Sequence, residues 1–369
     1  MEPTTDPRFV CAADYEPQAR AAVPPDVWDY ISGGSGAERA LAANRAAFDR
    51  FALRPRVLVD VSARDTAVTL LGSRLRGPVG IAPTAYHAMM HPDGEVATAQ
   101  GAARAGALYV TSFFSGRSLR DIAAAAGPAP RWLQIYWMRD REALGGVLDL
   151  AAEAGYTAVV LTVDSPVIGH RLRDLRNGFA FAPELRPVNV ERAAQSLLHR
   201  RVAGRSAVAD HAVRVFDPAL NWSDLAWLRE RTDLPIVLKG VQTGEDGELA
   251  AAHGVDAVIV SNHGGRQLDT PLATLDVLPE VVAAVGGRCP VLVDGGIRSG
   301  VEALTAIALG ATAVLIGRPV LWALAVRGAD GVAHLLDMLN DEVSDAMALT
   351  GLTDLRDAGP AHVRVTARR

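Results

Sequence analysis

An α/β architecture, a closed (β/α)8 TIM barrel, follows from three features of this 369-residue chain. Eight short runs rich in Val, Ile, Leu or Ala recur from residue 78 onward, each closed by a polar or glycine cluster. They are apolar on both faces, as strands of a parallel sheet covered by helices are; a strand with one wet face would alternate. Between them lie alanine-rich amphipathic segments, several ending in glycine, the residue suited to the left-handed cap of a helix. No G-x-G-x-x-G turn follows the first run, so the competing open doubly wound sheet lacks its usual signature.

In chain order, residues 1–75 read as an N-terminal helical arm, in which DVWDYISGGSGAERALAANRAAF spells a helix, a glycine break and a second helix. The barrel, residues 76–369, opens with PVGIAPTA and a helix at GEVATAQGAARAG, followed by the second and third runs, LYVTSFFS and RWLQIYW. The helix REALGGVLDLAAEAG leads to the fourth run, AVVLTVDS. After it, residues 174–222 form an insertion too long for an ordinary connection, which reads either as a lid over the barrel mouth or as a partly ordered linker. PIVLKGV, the helix EDGELAAAHG, DAVIVSNHGG, PVLVDGGIRSG, the helix SGVEALTAIALG and AVLIGRP complete the repeat. All of it is expected to form one domain.

Composition narrows the function. With 49% hydrophobic and 21% charged residues the chain can bury a full core. A formal net charge of -5 supplies no basic field for nucleic acid, so a small-molecule partner is expected. The two cysteines, Cys11 and Cys289, lie far apart without metal-ligand spacing, which argues against a disulfide framework and against a metal site. The N-terminus lacks a basic region followed by an apolar one, and no apolar run is long enough for a bilayer. A cytoplasmic protein with no membrane partner is therefore expected.

A barrel of this kind carries its chemistry at the carboxyl ends of its strands. The residues closing the eight runs are Thr84, Ser112, Gln134 with Tyr136, Asp164, Lys239, His263, Asp294 and Arg318. A merely structural barrel needs polar groups at only a few of these places. Between the seventh and eighth strands, Gly295, Gly296 and Gly317 offer unobstructed backbone amides beside Arg298 and Arg318, which suits a phosphate.

The strings APTA, QIY, LTVDSP, LKGV, SNHGGRQLD, DGGIRSG and IGRP, in this order and across nearly the whole chain, resemble the FMN-dependent 2-hydroxy acid oxidase and dehydrogenase family. That family includes glycolate oxidases, lactate oxidases and mandelate dehydrogenases. Within it, APTAYHAMMHPDGE and IGHRLRDLRNGFA most resemble the bacterial 4-hydroxymandelate oxidases. The resemblance implies bound FMN, a small-molecule 2-hydroxy acid substrate, molecular oxygen as acceptor and a homo-oligomer, commonly a tetramer. Oxidising a 2-hydroxy acid requires a base at the hydroxyl or α-carbon, a clamp on the carboxylate and a two-electron acceptor. By resemblance His263 is the base, oriented by Asp164 as a carboxylate orients a histidine in a triad. Alone, a histidine at a strand end is more often a hydrogen-bonded structural group, and Asp164 also suits a helix N-cap.

Arg266 and Arg171 match the carboxylate clamp, since a planar guanidinium meets a carboxylate at two points. Near Arg173 and Arg176, Arg171 could equally belong to a solvated cluster, and the chain has His170 where the family usually has a second arginine. Tyr30 and Tyr136 match substrate tyrosines. Lys239 matches the cation beside the flavin, and Pro83, Thr84, Ala85, Ser112, Gln134, Thr162, Ser261 and Asp294 match the residues around its ring and ribityl chain. Gly295, Gly296, Arg298, Gly317 and Arg318 match the phosphate site. Small Ala85, with Tyr86, Phe113, Phe114 and the lid, leaves room for an aryl group, so a substrate of the mandelate type is expected. A lactate or glycolate oxidase, a dehydrogenase using another acceptor, and a catalytically silent flavin-binding protein are the alternatives.

Overall fold

In the computed structural model of the protein, which describes residues 8–189, 204 and 206–366, eight parallel strands close into a barrel in sequence order. They are β1 (Val79–Ile81), β2 (Tyr109–Ser112), β3 (Arg131–Ile135), β4 (Val159–Thr162), β5 (Ile236–Val241), β6 (Ala257–Val260), β7 (Val291–Asp294) and β8 (Ala313–Ile316). Each lies within one of the eight apolar runs. Burial on both faces explains the continuous pattern: in β6, Ala257 and Ile259 point into the barrel with Val237, Leu292 and Leu315, while Val258 and Val260 join the layer beneath the helices. A hairpin, Val68–Leu70 with Ser73–Leu75, adds Leu70 and Leu75 to the inner cluster and closes the barrel's amino end.

The arm contains α1 (Tyr15–Ala22), α2 (Pro25–Ser32) and α3 (Arg39–Ala46), with the glycine break between the last two. The helices of the barrel and its insertion follow as α4 (Gly94–Ala105), α5 (Leu119–Ala126), α6 (Arg141–Glu153), α7 (Leu172–Asn177), α8 (Ala207–Val215), α9 (Asp224–Arg231), α10 (Gly244–Ala252), α11 (Thr274–Val285), α12 (Gly300–Ala308) and α13 (Arg318–Thr350). The helix-ending glycines read from the sequence, Gly106, Gly155, Gly254 and Gly310, all have positive φ. The long α13 is broken at Arg327 and Gly328. Of the insertion expected over 174–222, residues 190–203 and 205 lie outside the described residues; its described parts include α7 and α8.

The arm crosses the mouth of the barrel instead of packing only on its side. Ser35 N donates to Gly265 O (2.8 Å), and Gly36 N to His170 O (2.8 Å). Asn44 and Asn262 exchange amide hydrogen bonds at 2.8 Å in both directions, and Asn44 Oδ1 also accepts from Thr274 N at 3.3 Å, all of it buried. The chain then leaves the mouth through Phe51–Leu53, which pairs antiparallel with Val363–Val365 near the C-terminus. Replacing Asn44 by Ala removes both of its bonds to Asn262, whose amide keeps only Gly265 N and Leu272 O, and takes from the Thr274 N–H its acceptor, so Asn44→Ala is expected to lower unfolding stability by about 2 kcal/mol. Urea denaturation checks this; a loss below about 0.5 kcal/mol, within the range of ordinary surface substitutions, contradicts it.

Candidate active site

The site begins with an irregularity in β5. Against β6, Lys239 pairs with Ile259 and Val241 with Val260, so Gly240 is an extra residue that bulges the strand. Its φ is +114°, and a Cβ on it would lie 2.6 Å from the Cβ of Asp164. Glycine thus lets the end of β4 close onto β5. Lys239 Nζ lies 2.8 Å from Ser261 Oγ and 3.1 Å from Asp294 Oδ2, and all three residues are buried.

His263 follows β6 in a single 3-10 turn, His263–Gly265, with φ +58°. A left-handed backbone at a non-glycine residue costs about 1 kcal/mol or more. Here it is held by Ser261 Oγ, which accepts from His263 N (3.1 Å), and by Asn262 Oδ1, which accepts from Gly265 N (3.2 Å). Gly265 has no room for a side chain, since a Cβ would come within 2.5 Å of the Leu41 nitrogen in the arm. The turn aims His263 Nδ1 at Asp164 Oδ1, 2.9 Å away, with Ser165 Oγ at 3.4 Å. His263 itself lines the cavity.

Burial is the largest influence on the His263 ring and holds its pKa below the ordinary histidine value; Lys239 and Arg171 add to this, against the pull of Asp164. Burial would also raise the Asp164 carboxyl, but His263, Lys239 and Ser165 outweigh it and keep it below the usual range. The pair is therefore a neutral imidazole backed by a carboxylate.

Four guanidiniums surround that cavity. Arg266 Nη1 donates to Tyr30 O (2.6 Å) and Gly33 O (2.9 Å) in the arm. Arg318 donates to Ile31 O (3.1 Å), Gly264 O (3.1 Å) and Gly33 O (2.9 Å). Arg298 donates to Ile297 O (2.8 Å) and lies over the Trp322 ring at 5.0 Å. Arg171 is buried, and its Nε finds no hydrogen-bond partner among the described residues. None of the four forms a salt bridge among the described residues. Burial, followed by Arg171, pushes the Arg266 pKa down to about 10; burial, followed by Arg45, does the same for Arg298. Arg318 is pushed well down by burial and by Arg266 and Arg298. Arginines whose ionisation is opposed this way call for anions between them.

The cavity has a volume of about 150 Å³ and opens to solvent. Of the residues expected from sequence, Tyr30, Pro83, Thr84, Ala85, Ser112, Tyr136, Arg171, Lys239, His263, Arg266, Asp294, Gly295, Gly296, Arg298, Gly317 and Arg318 line it. Asp164 stands behind His263. Three expected flavin contacts do not line it: Gln134, Thr162 and Ser261 are buried one layer down. There Gln134 Nε2 donates to Thr162 Oγ1 (3.0 Å), Ser112 Oγ to Gln134 Oε1 (3.3 Å), and Ser261 Oγ is taken by Lys239. Phe113 packs in the core, fully buried and roughly perpendicular to the Phe114 ring.

His170 is exposed and contributes only its carbonyl to the arm, while Arg173 pairs with Glu38 at 2.7 Å. Arg171 therefore does not share the ion pairing of its neighbour Arg173. Sequence reasoning missed the named walls supplied by Phe181, Val208, His211, Ala212 and Phe216. The spacing of Val208, His211 and Ala212 behind the N-cap Ser206 is the signal that marks one face of a helix.

The residues present fit FMN. Gly317 lines the cavity, and a Cβ there would meet no protein atom closer than 3.5 Å, which leaves space against the backbone beside Arg298 and Arg318 for a phosphate. Gly295 and Gly296 are glycine for a second reason, since side chains on them would strike Thr274 and Asn44. Lys239 would face the flavin ring, as a cation that favours its anionic reduced form.

A barrel whose mouth gathers a half-buried histidine backed by a carboxylate, and arginines without a salt-bridge partner among the described residues, is the plan of flavin enzymes that act on 2-hydroxy acids. Comparison with known proteins agrees: residues 19–365 match the model of the FMN-dependent dehydrogenase family, and the chain belongs to it. It is 47% identical to a 4-hydroxymandelate oxidase of Amycolatopsis orientalis, over 93% of this chain and 95% of that one. It is 42% identical to human 2-hydroxyacid oxidase 1, over 95% of each chain. A crystal structure of mandelate oxidase with (S)-4-hydroxymandelic acid superposes with a TM-score of 0.93 at 45% identity, covering 97% of this chain and 99% of that one.

The bulge at Gly240 supplies a direct check on this geometry. Gly240→Ala drives a methyl group into Asp164 and turns His263 from its place, so substrate-driven flavin reduction should slow at least about tenfold. Stopped-flow bleaching measures it, and an unchanged rate would show that the bulge does not position the pair.

Proposed function

We propose that the protein oxidises (S)-2-hydroxy acids with an aromatic side chain, of the mandelate or 4-hydroxymandelate type, to the 2-oxo acids, with oxygen as final acceptor. The observation that carries the aryl preference is the part of the cavity wall where Tyr86, Phe114, Phe181 and Phe216 stand together. Their ring centroids are 4.3 Å apart for Tyr86 and Phe181, 6.2 Å for Tyr86 and Phe114, and 5.9 Å for Phe114 and Phe216. Oxidases of mandelate and 4-hydroxymandelate among the relatives support the same reading.

When bound, FMN takes up the two electrons of the oxidation and passes them on to oxygen. The protein groups do the rest. Arg171 and Arg266 hold the substrate carboxylate, and Tyr30, under both guanidiniums at 5.9 and 4.9 Å from its ring, fixes their planes. Burial keeps the Tyr136 hydroxyl protonated, so it can donate to the substrate. His263 Nε2 accepts the proton that leaves the substrate, and Asp164 stabilises the imidazolium so formed. The aromatic wall and α8 exclude water. A silent flavin-binding protein would have no need of His263, Arg266 and Lys239 together. The homotetramer implied by the family resemblance and the cytoplasmic location expected from the sequence belong to the same proposal; among the described residues no helix is long and apolar enough to cross a membrane.

Anaerobic mixing of the FMN-loaded protein with (S)-mandelate, 4-hydroxymandelate, (S)-lactate and glycolate tests the reading. Burying a phenyl ring instead of a methyl gains roughly 2 to 3 kcal/mol, an advantage in kcat/KM of about two orders of magnitude if realised in the transition state. Ala85→Leu should harm the aryl acids more than lactate. Faster bleaching by lactate or glycolate would overturn the aryl assignment, and admitting oxygen shows whether the bleached flavin recovers as an oxidase requires.

His263 is active as the neutral base, and its pKa lies below the ordinary 6.5. Hence kcat/KM should stay level at neutral pH and fall only as pH drops through that depressed value. His263→Ala should retain FMN, lose about 10²- to 10⁴-fold in flavin reduction, and lose this acid limb. Near-normal reduction in the variant would remove His263 from the role.

A further inference from the structure

The carboxylate clamp, the base and the phosphate site account for most of the cavity wall. The remaining side chains form a compartment of Tyr86, Phe114, Phe181, Val208, His211 and Phe216. Phenylalanine at position 86 would fill this wall as well as tyrosine does. Yet the Tyr86 hydroxyl is buried and finds no hydrogen-bond partner among the described residues. A buried polar group without a partner is destabilising. Tyr86 carries a second burden, because it lies in the turn after β1 with φ +55°, held there by Tyr86 N donating to Phe114 O at 3.0 Å. Two unfavourable features at one residue lining a binding cavity point to use by a ligand.

We propose that the Tyr86 hydroxyl is a specificity-determining group, which hydrogen-bonds a hydroxyl carried on the ring of the aryl substrate and so makes the site prefer 4-hydroxymandelate to mandelate. The assignment rests on the aryl reading of the same cavity. Burial, with smaller contributions from Tyr30, Glu95 and Tyr136, raises the Tyr86 pKa well above its usual value, so the group remains a neutral donor. A ring hydroxyl on the substrate can accept from it. A bare phenyl ring leaves it unsatisfied, and a site with an unsatisfied donor discriminates against the ligand that lacks the partner.

The test is Tyr86→Phe, which removes one oxygen and keeps the ring packing. In the FMN-loaded protein the ratio of kcat/KM for 4-hydroxymandelate over mandelate should fall about tenfold, or about 1.4 kcal/mol. The melting temperature of the substrate-free protein should be equal or higher, because the hydroxyl has no partner to lose. An unchanged ratio overturns the proposal, and a lowered melting temperature with an unchanged ratio identifies the hydroxyl as a structural group instead. If the parent protein is reduced faster by lactate or glycolate than by either aryl acid, the aryl reading fails first, and this assignment falls with it.

Discussion

Four guanidiniums at one end of a barrel, that of Arg171 buried and those of Arg266, Arg298 and Arg318 half-buried, with no carboxylate in salt-bridge contact among the described residues, are the constraint around which the rest is arranged. Like charges in a poorly solvated place repel, and the protein relieves this with neutral dipoles. Arg266 and Arg318 reach into the arm for the carbonyls of Tyr30, Ile31 and Gly33. The break between α2 and α3 frees such carbonyls from helical bonding, which explains why an arm with a glycine break lies over the mouth. Carbonyls lower the charge density without neutralising it. Under the proposed function the balance falls to a phosphate at the Arg298 and Arg318 side and a carboxylate at the Arg171 and Arg266 side.

Lys239 is treated differently. It is paired with Asp294 at 3.1 Å and bonded to Ser261, so its charge is partly met by the protein itself. Arginines without a salt-bridge partner and a lysine beside a resident acid divide the cavity electrostatically. In the proposed function the first set binds anions and the second tunes the electron acceptor.

Much of this was legible in the sequence, for a physical reason. Strands buried on both faces leave runs such as DAVIV, and β6 lies inside that run, with His263 following at its mouth. The motif residues came together because the carboxyl ends of all eight strands share one face of the barrel. What was not legible depends on partners distant in the chain. Nothing in DGG reveals that Gly295 and Gly296 are pressed by Asn44, some 250 residues earlier. Gln134 and Thr162 carry the same motif signal as Ser112, yet they satisfy each other below the cavity floor. Val363–Val365 is too short, and too exposed beyond Val363, to announce a strand. The walls from α8 became visible only when the insertion was folded back across the barrel.

That last short strand has a consequence for how the site is assembled. Phe51 pairs with Val365 and Leu53 with Val363, so the segment leaving the arm is held by residues about 310 positions further along the chain. A contact of such long sequence separation costs loop-closure entropy before it repays any. Successive barrel strands pair with neighbours much nearer in the chain, whereas the far side of the arm is tied down by this distant seam.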